Sequence, residues 1–183
     1  MNSNTVSMKV QQTRDMIAAR FMSLIKNKPL KKVSVNDICE SALISRSTFY
    51  LHFEDKYQLL RYCMEAEANR WLAAAKNTPA EDTINCILDN ILENKNFYYY
   101  IFMDDSSKEE TDILLSILTR IFSEKLTEKE QAGCDLPGPA SILGAFYAGG
   151  IVSANIQWIQ NDFNIPKEEI VKCQRKLLAN IFD

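Results

Sequence analysis

Between Ser34 and Lys56 the sequence runs SVNDICESALISRSTFYLHFEDK, and its polar side chains are spaced for contact with a phosphate-bearing polymer. Arg46, Ser47 and Thr48 follow one another at the expected start of a short helix, with Tyr50 and His52 within the next turn. A helix start offers free N–H groups and the positive end of the dipole to phosphate. In a helix-turn-helix, the first turns of the second helix enter the DNA major groove, so polar groups belong there. Arg46 is an unfavourable cation for a helix N-terminus, which hints at a purpose beyond solvation. The same residues make poor catalytic apparatus. His52 is the single histidine, and there is no nucleophile elbow, glycine-rich phosphate loop or metal-ligand spacing. No enzyme activity, cofactor or metal is expected.

The elements that would position these groups are two short helices joined by Ala42–Leu43–Ile44–Ser45. Ser34 caps the first, and Asp37 three residues later suits its positive end. Ser45 caps the second, from Arg46 to about Phe53. Val35, Ile38, Cys39, Ile44 and Phe49 are placed to lock the pair. Upstream, Ile17, Phe21, Leu24 and Ile25 make one apolar stripe on a helix from about Thr13 to Lys26, which Pro29 stops. Downstream, a helix from Asp55 is expected to run past Trp71 to about Lys76, broken before Pro79.

The remainder reads as a helical body. Stripes appear at Ile84, Ile87, Leu88, Ile91 and Leu92, and again at Ile113, Ile117, Ile121 and Phe122. A helix from about Pro139 to Gln160 is rich in small residues, and Pro166 opens a final helix striped by Ile170, Leu177, Leu178 and Ile181. No strand, repeat or low-complexity segment is apparent, and the fold class expected is all-α.

Charge divides along the same line. Residues 1–60 hold nine Lys/Arg against five Asp/Glu, and the rest twelve against nineteen, within a net charge of −3. A basic segment on an acidic body suits a DNA-binding head on a body with another task. The chain starts with polar residues, without a signal-like apolar stretch, and its purely apolar runs are too short to cross a bilayer. A cytoplasmic, nucleoid-associated protein without membrane attachment is therefore expected. The five cysteines are scattered, without a CxxC pair, and read as small, partly buried thiols, with Cys134 beside Gly133 the best candidate for a redox role.

The Ser34–Lys56 run resembles the head of the TetR family of transcriptional regulators, matching its pattern at Ser34, Ile38, Ala42, Ile44, Ser45, Thr48, Tyr50, His52, Phe53 and Lys56. The resemblance starts at Thr13 and extends over about 50 residues; beyond Leu60 it is one of helix layout. Pro29, the Val35–Cys39 run and the Ser45–Tyr50 run resemble the subgroup that includes dihydroxyacetone-kinase regulators. Two positions depart from the pattern. Cys39 replaces alanine, and Leu43 replaces a turn glycine where positive φ would cost about 1 kcal/mol.

The resemblance implies a DNA-binding domain over 1–56 and a regulatory and dimerisation domain over 57–183. Arg46, Ser47 and Tyr50 would face the groove, Arg46 on guanine, with Leu51 touching a thymine methyl. Ser34, Thr48, Tyr50, His52 and Lys56 map onto phosphate contacts. Ala145, Gly149 and Ser153, at i, i+4 and i+8, would let another backbone approach closely. In the family the last two helices pair with those of a dimer mate, which adds Leu177 and Ile181 to the expected interface. Aromatic residues including Trp71, Tyr99, Phe102 and Trp158 would either line a small-molecule effector pocket or, more commonly for such clusters, fill the core. The function expected is an operator-binding repressor released by an effector. The alternative is an activator or repressor controlled by a protein partner.

Overall fold

The computed structural model describes residues 3–75, 80–102 and 108–182, all helix or connecting turn. Among the described residues nine α-helices follow in order: α1 (Ser3–Ile25), α2 (Val35–Ala42), α3 (Arg46–His52), α4 (Lys56–Ala75), α5 (Ala80–Glu93), α6 (Lys95–Phe102), α7 (Lys108–Gln131), α8 (Ala140–Gln160) and α9 (Lys167–Phe182). The expected all-α class holds. Two details differ. Helix α1 begins ten residues before the predicted start, because no breaker separates Ser3 from Thr13 and a helix propagates beyond its apolar stripe. A 3-10 turn, Leu30–Lys32, fills the gap after Pro29. The break expected before Pro79 lies outside the described residues.

The chain divides into two compact units, Met1–Ala66 and Glu67–Asp183. In the first, Ile17, Phe21 and Ile25 of α1 are buried with Leu30, Val33, Ile38, Phe49, Phe53, Leu59 and Leu60. Local chemistry fixes its short helices. Ser34 Oγ accepts from the Asp37 amide at 3.1 Å while Ser34 N donates to Asp37 Oδ2 at 2.7 Å, a reciprocal capping box. Ser45 Oγ accepts from the Thr48 amide at 3.1 Å at the start of α3. Asp55 Oδ1 accepts from the amides of Tyr57 and Gln58 at 2.8 and 2.7 Å at the start of α4. Between α2 and α3, Leu43 takes the left-handed conformation expected of the missing glycine, φ 54° and ψ 44°.

In the second unit α8 packs chiefly along α7, and α9 chiefly along α5. Helix α8 has two faces. Ala140, Gly144, Ala148 and Val152 recur every four residues and are buried. Ala145 and Ser153 are exposed, and a β-carbon added at Gly149 would meet nothing within 4 Å. By length and composition α8 could cross a bilayer, with an 18-residue window of mean hydropathy 1.3. Serines and Asn155 interrupt that window, so its purely apolar runs stay short, as expected from the sequence. The turn from α8 to α9 places Asp162 and Phe163 at φ 51° and 58°. Trp158 secures that turn. Its indole N–H donates to the Ile165 carbonyl at 2.8 Å, and Phe163 meets its ring edge-on.

Candidate nucleic-acid interface

The N-terminal part of α3 presents its side chains outward while the helix is anchored from behind. Phe49 is fully buried and Phe53, at the C-cap, is 1% exposed, whereas Leu51 is 82% and Tyr50 48% exposed. Arg46 and Ser47 are exposed as well. All four expected base-facing residues thus lie outward on a helix seven residues long. Two of them meet. Arg46 Nη2 donates to the Tyr50 hydroxyl at 3.3 Å, with the guanidinium 5.8 Å from the ring centroid. Arg46 Nη1 also donates to Asn36 Oδ1 of α2 at 2.9 Å. Asn36 was not singled out from sequence, since nothing within one helical turn signals a partner ten residues away.

The expected phosphate contacts are more varied in their surroundings. Ser34 is exposed at the α2 N-terminus, and its hydroxyl also donates to Asp37 Oδ2 at 2.7 Å. Thr48 is half-buried, its hydroxyl 2.9 Å from Ser45 Oγ, and Ser47 Oγ lies 2.7 Å from the same atom. His52 is half-buried at the last position of α3. Lys56 is placed differently from a free phosphate ligand. Its ammonium donates to the carbonyls of Leu30 at 2.9 Å, Val33 at 3.1 Å and Lys31 at 3.4 Å. Three N–H donors meet three carbonyls around the 3-10 turn, where the Leu30 carbonyl also accepts from the Val33 amide at 3.0 Å. Any phosphate role for Lys56 competes with this clamp.

The electrostatics of the motif centre on Asp37. The Ser34 backbone amide, the Ser34 hydroxyl and then Lys28, whose Nζ lies 3.3 Å away, lower its pKa to about 2. The carboxylate therefore stays ionised and keeps the cap in place. Behind α3, the Arg14 guanidinium lies between two rings, 4.8 Å from the centroid of Phe53 and 4.7 Å from that of Tyr62. This ties α1 to the end of α3 and to α4, another contact that sequence reasoning missed. Tyr62 in turn donates to Asp15.

A family model described as "Bacterial regulatory proteins, tetR family" matches residues 21–63, and the family's "Transcriptional regulator C-terminal region" matches residues 79–180. The chain belongs to the TetR family. It is a DNA-binding transcriptional regulator whose helix-turn-helix is α2–α3. Among relatives, the "HTH-type dhaKLM operon transcriptional activator DhaS" of Lactococcus lactis subsp. lactis is 29% identical over 98 residues. Those residues are 53% of this chain and 52% of the relative, so the match spans about half of that protein's length. Among solved structures, a "Dihydroxyacetone kinase operon activator DhaS" aligns with TM-score 0.59 and 24% identity, over 92% of this chain and 96% of that one. Thermus thermophilus FadR, described as a TetR family transcriptional repressor in complex with lauroyl-CoA, aligns with TM-score 0.60 and 16% identity, over 91% and 93%. At these identities the structures show the fold.

The other expected residues of this TetR-family chain sit in the second unit. Leu177 of α9 is 57% exposed, like the outer face of α8, where Ile142 at 65% and Phe146 at 74% add apolar surface that sequence reasoning did not single out. Of the residues suggested for an effector pocket, Phe102 is buried and stacked on Tyr98, and Tyr99 is 49% exposed against Tyr100. Trp158 is 2% exposed in the α8–α9 turn. Trp71 and Ile181 lie outside the residues whose side chains are described. Cys39 and Cys63 are buried, and burial raises both thiols, Cys63 to about 12. Cys86, Cys134 and Cys173 are exposed rather than partly buried.

Proposed function

We propose that the protein is a cytoplasmic homodimer that reads an operator with α3 and activates a nearby operon. The outward Arg46–Tyr50 pair carries the operator reading, because it presents a held guanidinium beside the exposed Leu51. An arginine can donate two hydrogen bonds to guanine O6 and N7, and a leucine can pack on a thymine methyl. Ser34, Thr48 and His52 would serve the phosphates on either side. Two such heads about one DNA turn apart read a pseudo-palindrome, which requires a dimer. The outer face of α8, with Ala145, Gly149 and Ser153 beside exposed Ile142 and Phe146, supplies a surface for the mate, joined by Leu177 of α9. Similarity to the activator DhaS supports activation as the sign of regulation.

A second reading is favoured by the likeness to FadR, a repressor solved with lauroyl-CoA. In it a small molecule bound in the second unit lowers operator affinity. Coupling of about 1–3 kcal/mol would suffice, and operator DNA must then weaken effector binding by the same factor.

Sequencing the genomic fragments retained by the purified protein would give the operator and its neighbouring genes. Activation predicts that deleting the gene lowers their transcription. A rise on deletion would favour the repressor, and retention of no discrete fragment set would overturn the operator reading. Arg46→Ala should cost about 1–3 kcal/mol at one base pair and relax preference there.

A further inference from the structure

Arg46 is exposed at the first position of α3, where the helix dipole disfavours a cation and a long side chain has many rotamers. Its guanidinium is nevertheless fixed at two points on different elements. Tyr50, one turn further along α3, accepts from Nη2 at 3.3 Å, and Asn36, in the first turn of α2, accepts from Nη1 at 2.9 Å. The second contact is the shorter and better, and it crosses the motif. Asn36 and Arg46 line an open depression of about 370 Å³ together with Cys39, Glu40, Leu43 and Ile44. Ile38, Cys39 and Ala42 of α2 and Phe49 of α3 are buried, so apolar packing holds the α2–α3 crossing that sets the Asn36–Arg46 distance.

We infer that Asn36 is a specificity-determining positioning residue: its side-chain carbonyl holds the Arg46 guanidinium in the orientation that reads a base. This rests on the operator reading proposed above. A guanidinium carries five N–H donors in a fixed plane. With one Nη1 donor on Asn36 and one Nη2 donor on Tyr50, the plane is set before DNA arrives, and the remaining donors stay available for a base edge. Ordering the side chain in the free protein removes an entropy cost from binding. Because the pair is exposed and water competes for both partners, the contact contributes little to folding. Its effect falls on the fidelity of the contact.

The test is a double-mutant cycle read as base preference. Operator variants carrying each of the four base pairs at the position where Arg46→Ala loses discrimination are titrated against the wild-type protein, Asn36→Ala, Asn36→Asp, Arg46→Ala and the double variant. Asn36→Ala should reduce the preference at that one position by about three- to tenfold, the range of a single hydrogen bond. Affinity for unrelated DNA and the melting temperature should be unchanged. In the Arg46→Ala background, Asn36→Ala should have no further effect. Asn36→Asp, which keeps the acceptor, should retain the preference while weakening binding to all sequences through its added charge. Undiminished preference in Asn36→Ala would overturn the inference. So would an Asn36→Ala effect that persists without Arg46, since Asn36 would then contact DNA itself. A wild-type protein with no sequence preference, or with none that depends on Arg46, would instead overturn the operator reading and this inference with it.

Discussion

A β-carbon placed on Gly144 would overlap Oγ of Ser123 and lie 2.8 Å from its backbone nitrogen and 3.0 Å from its Cα, so α8 lies nearer to α7 there than a residue with a β-carbon allows. Backbone cannot swing aside as a side chain can. Gly144→Ala should therefore separate the two helices and destabilise the protein by about 1–2 kcal/mol, overpacking exceeding the gain in helix propensity. Denaturant unfolding would measure it.

Five residues on, Gly149 has open space where Gly144 has a neighbouring helix. If the mate's backbone fills that space, Gly149→Leu should hold the mates apart. Sedimentation at micromolar concentration should show a dimer for the wild type and a monomer for the variant, with weakened operator binding. A wild-type monomer would remove this face as the dimer interface.

Leu43 occupies the left-handed region with its side chain 91% exposed. It stores backbone strain and buries almost nothing in exchange. Leu43→Gly should raise stability by about 0.5–1 kcal/mol, seen as a rise of about 2–4 °C in Tm per kcal/mol for a chain of this size. An unchanged or lower Tm would show that Leu43 packs against something in solution.

Lys56 links the first turn of α4 to the carbonyls of Leu30, Lys31 and Val33. Removing the ammonium takes a charged donor from the Lys31 and Val33 carbonyls and the second donor from that of Leu30, which still accepts from the Val33 amide. Lys56→Met should destabilise the first unit by about 1.5–3 kcal/mol, the range for a hydrogen bond to a charged group. The salt dependence of operator binding separates this role from phosphate contact. Each lost phosphate contact lowers the log–log slope by about 0.9, and the clamp predicts no such change.

Asp37, depressed to about 2 by Ser34 and Lys28, contributes to the α2 cap while ionised. Its folded pKa lies below the ordinary value of 3.8, so the contribution is complete above about pH 4 and is lost as pH falls towards about 2. The group is solvent-exposed, which keeps the effect modest. Its carboxyl carbon shift should titrate with a midpoint near 2, and Lys28→Ala should raise that midpoint. A titration at the ordinary carboxylate value would show that the capping box is absent in solution.

The caps were legible in the sequence because they act within one turn. Ser34 with Asp37 and Ser45 with Thr48 each join neighbours in the chain, whereas Asp55, expected to open α4, instead caps it through Tyr57 and Gln58. The strained conformation of Leu43 was legible for the same reason, as was the outward polar start of α3. What tertiary structure decided are the contacts of long sequence separation. Lys56 reaches 23 to 26 residues back to its carbonyls, Arg46 finds Asn36 ten residues away, and Arg14 lies between the rings of Phe53 and Tyr62. The small residues of α8 show the difference most directly. Composition marks Gly144 and Gly149 alike, and only the crossing with α7 covers one and leaves the other open. Periodicity sets which residues share a face. The packing of several helices at once determines which face is covered, and one helix's sequence does not contain the position of its neighbours.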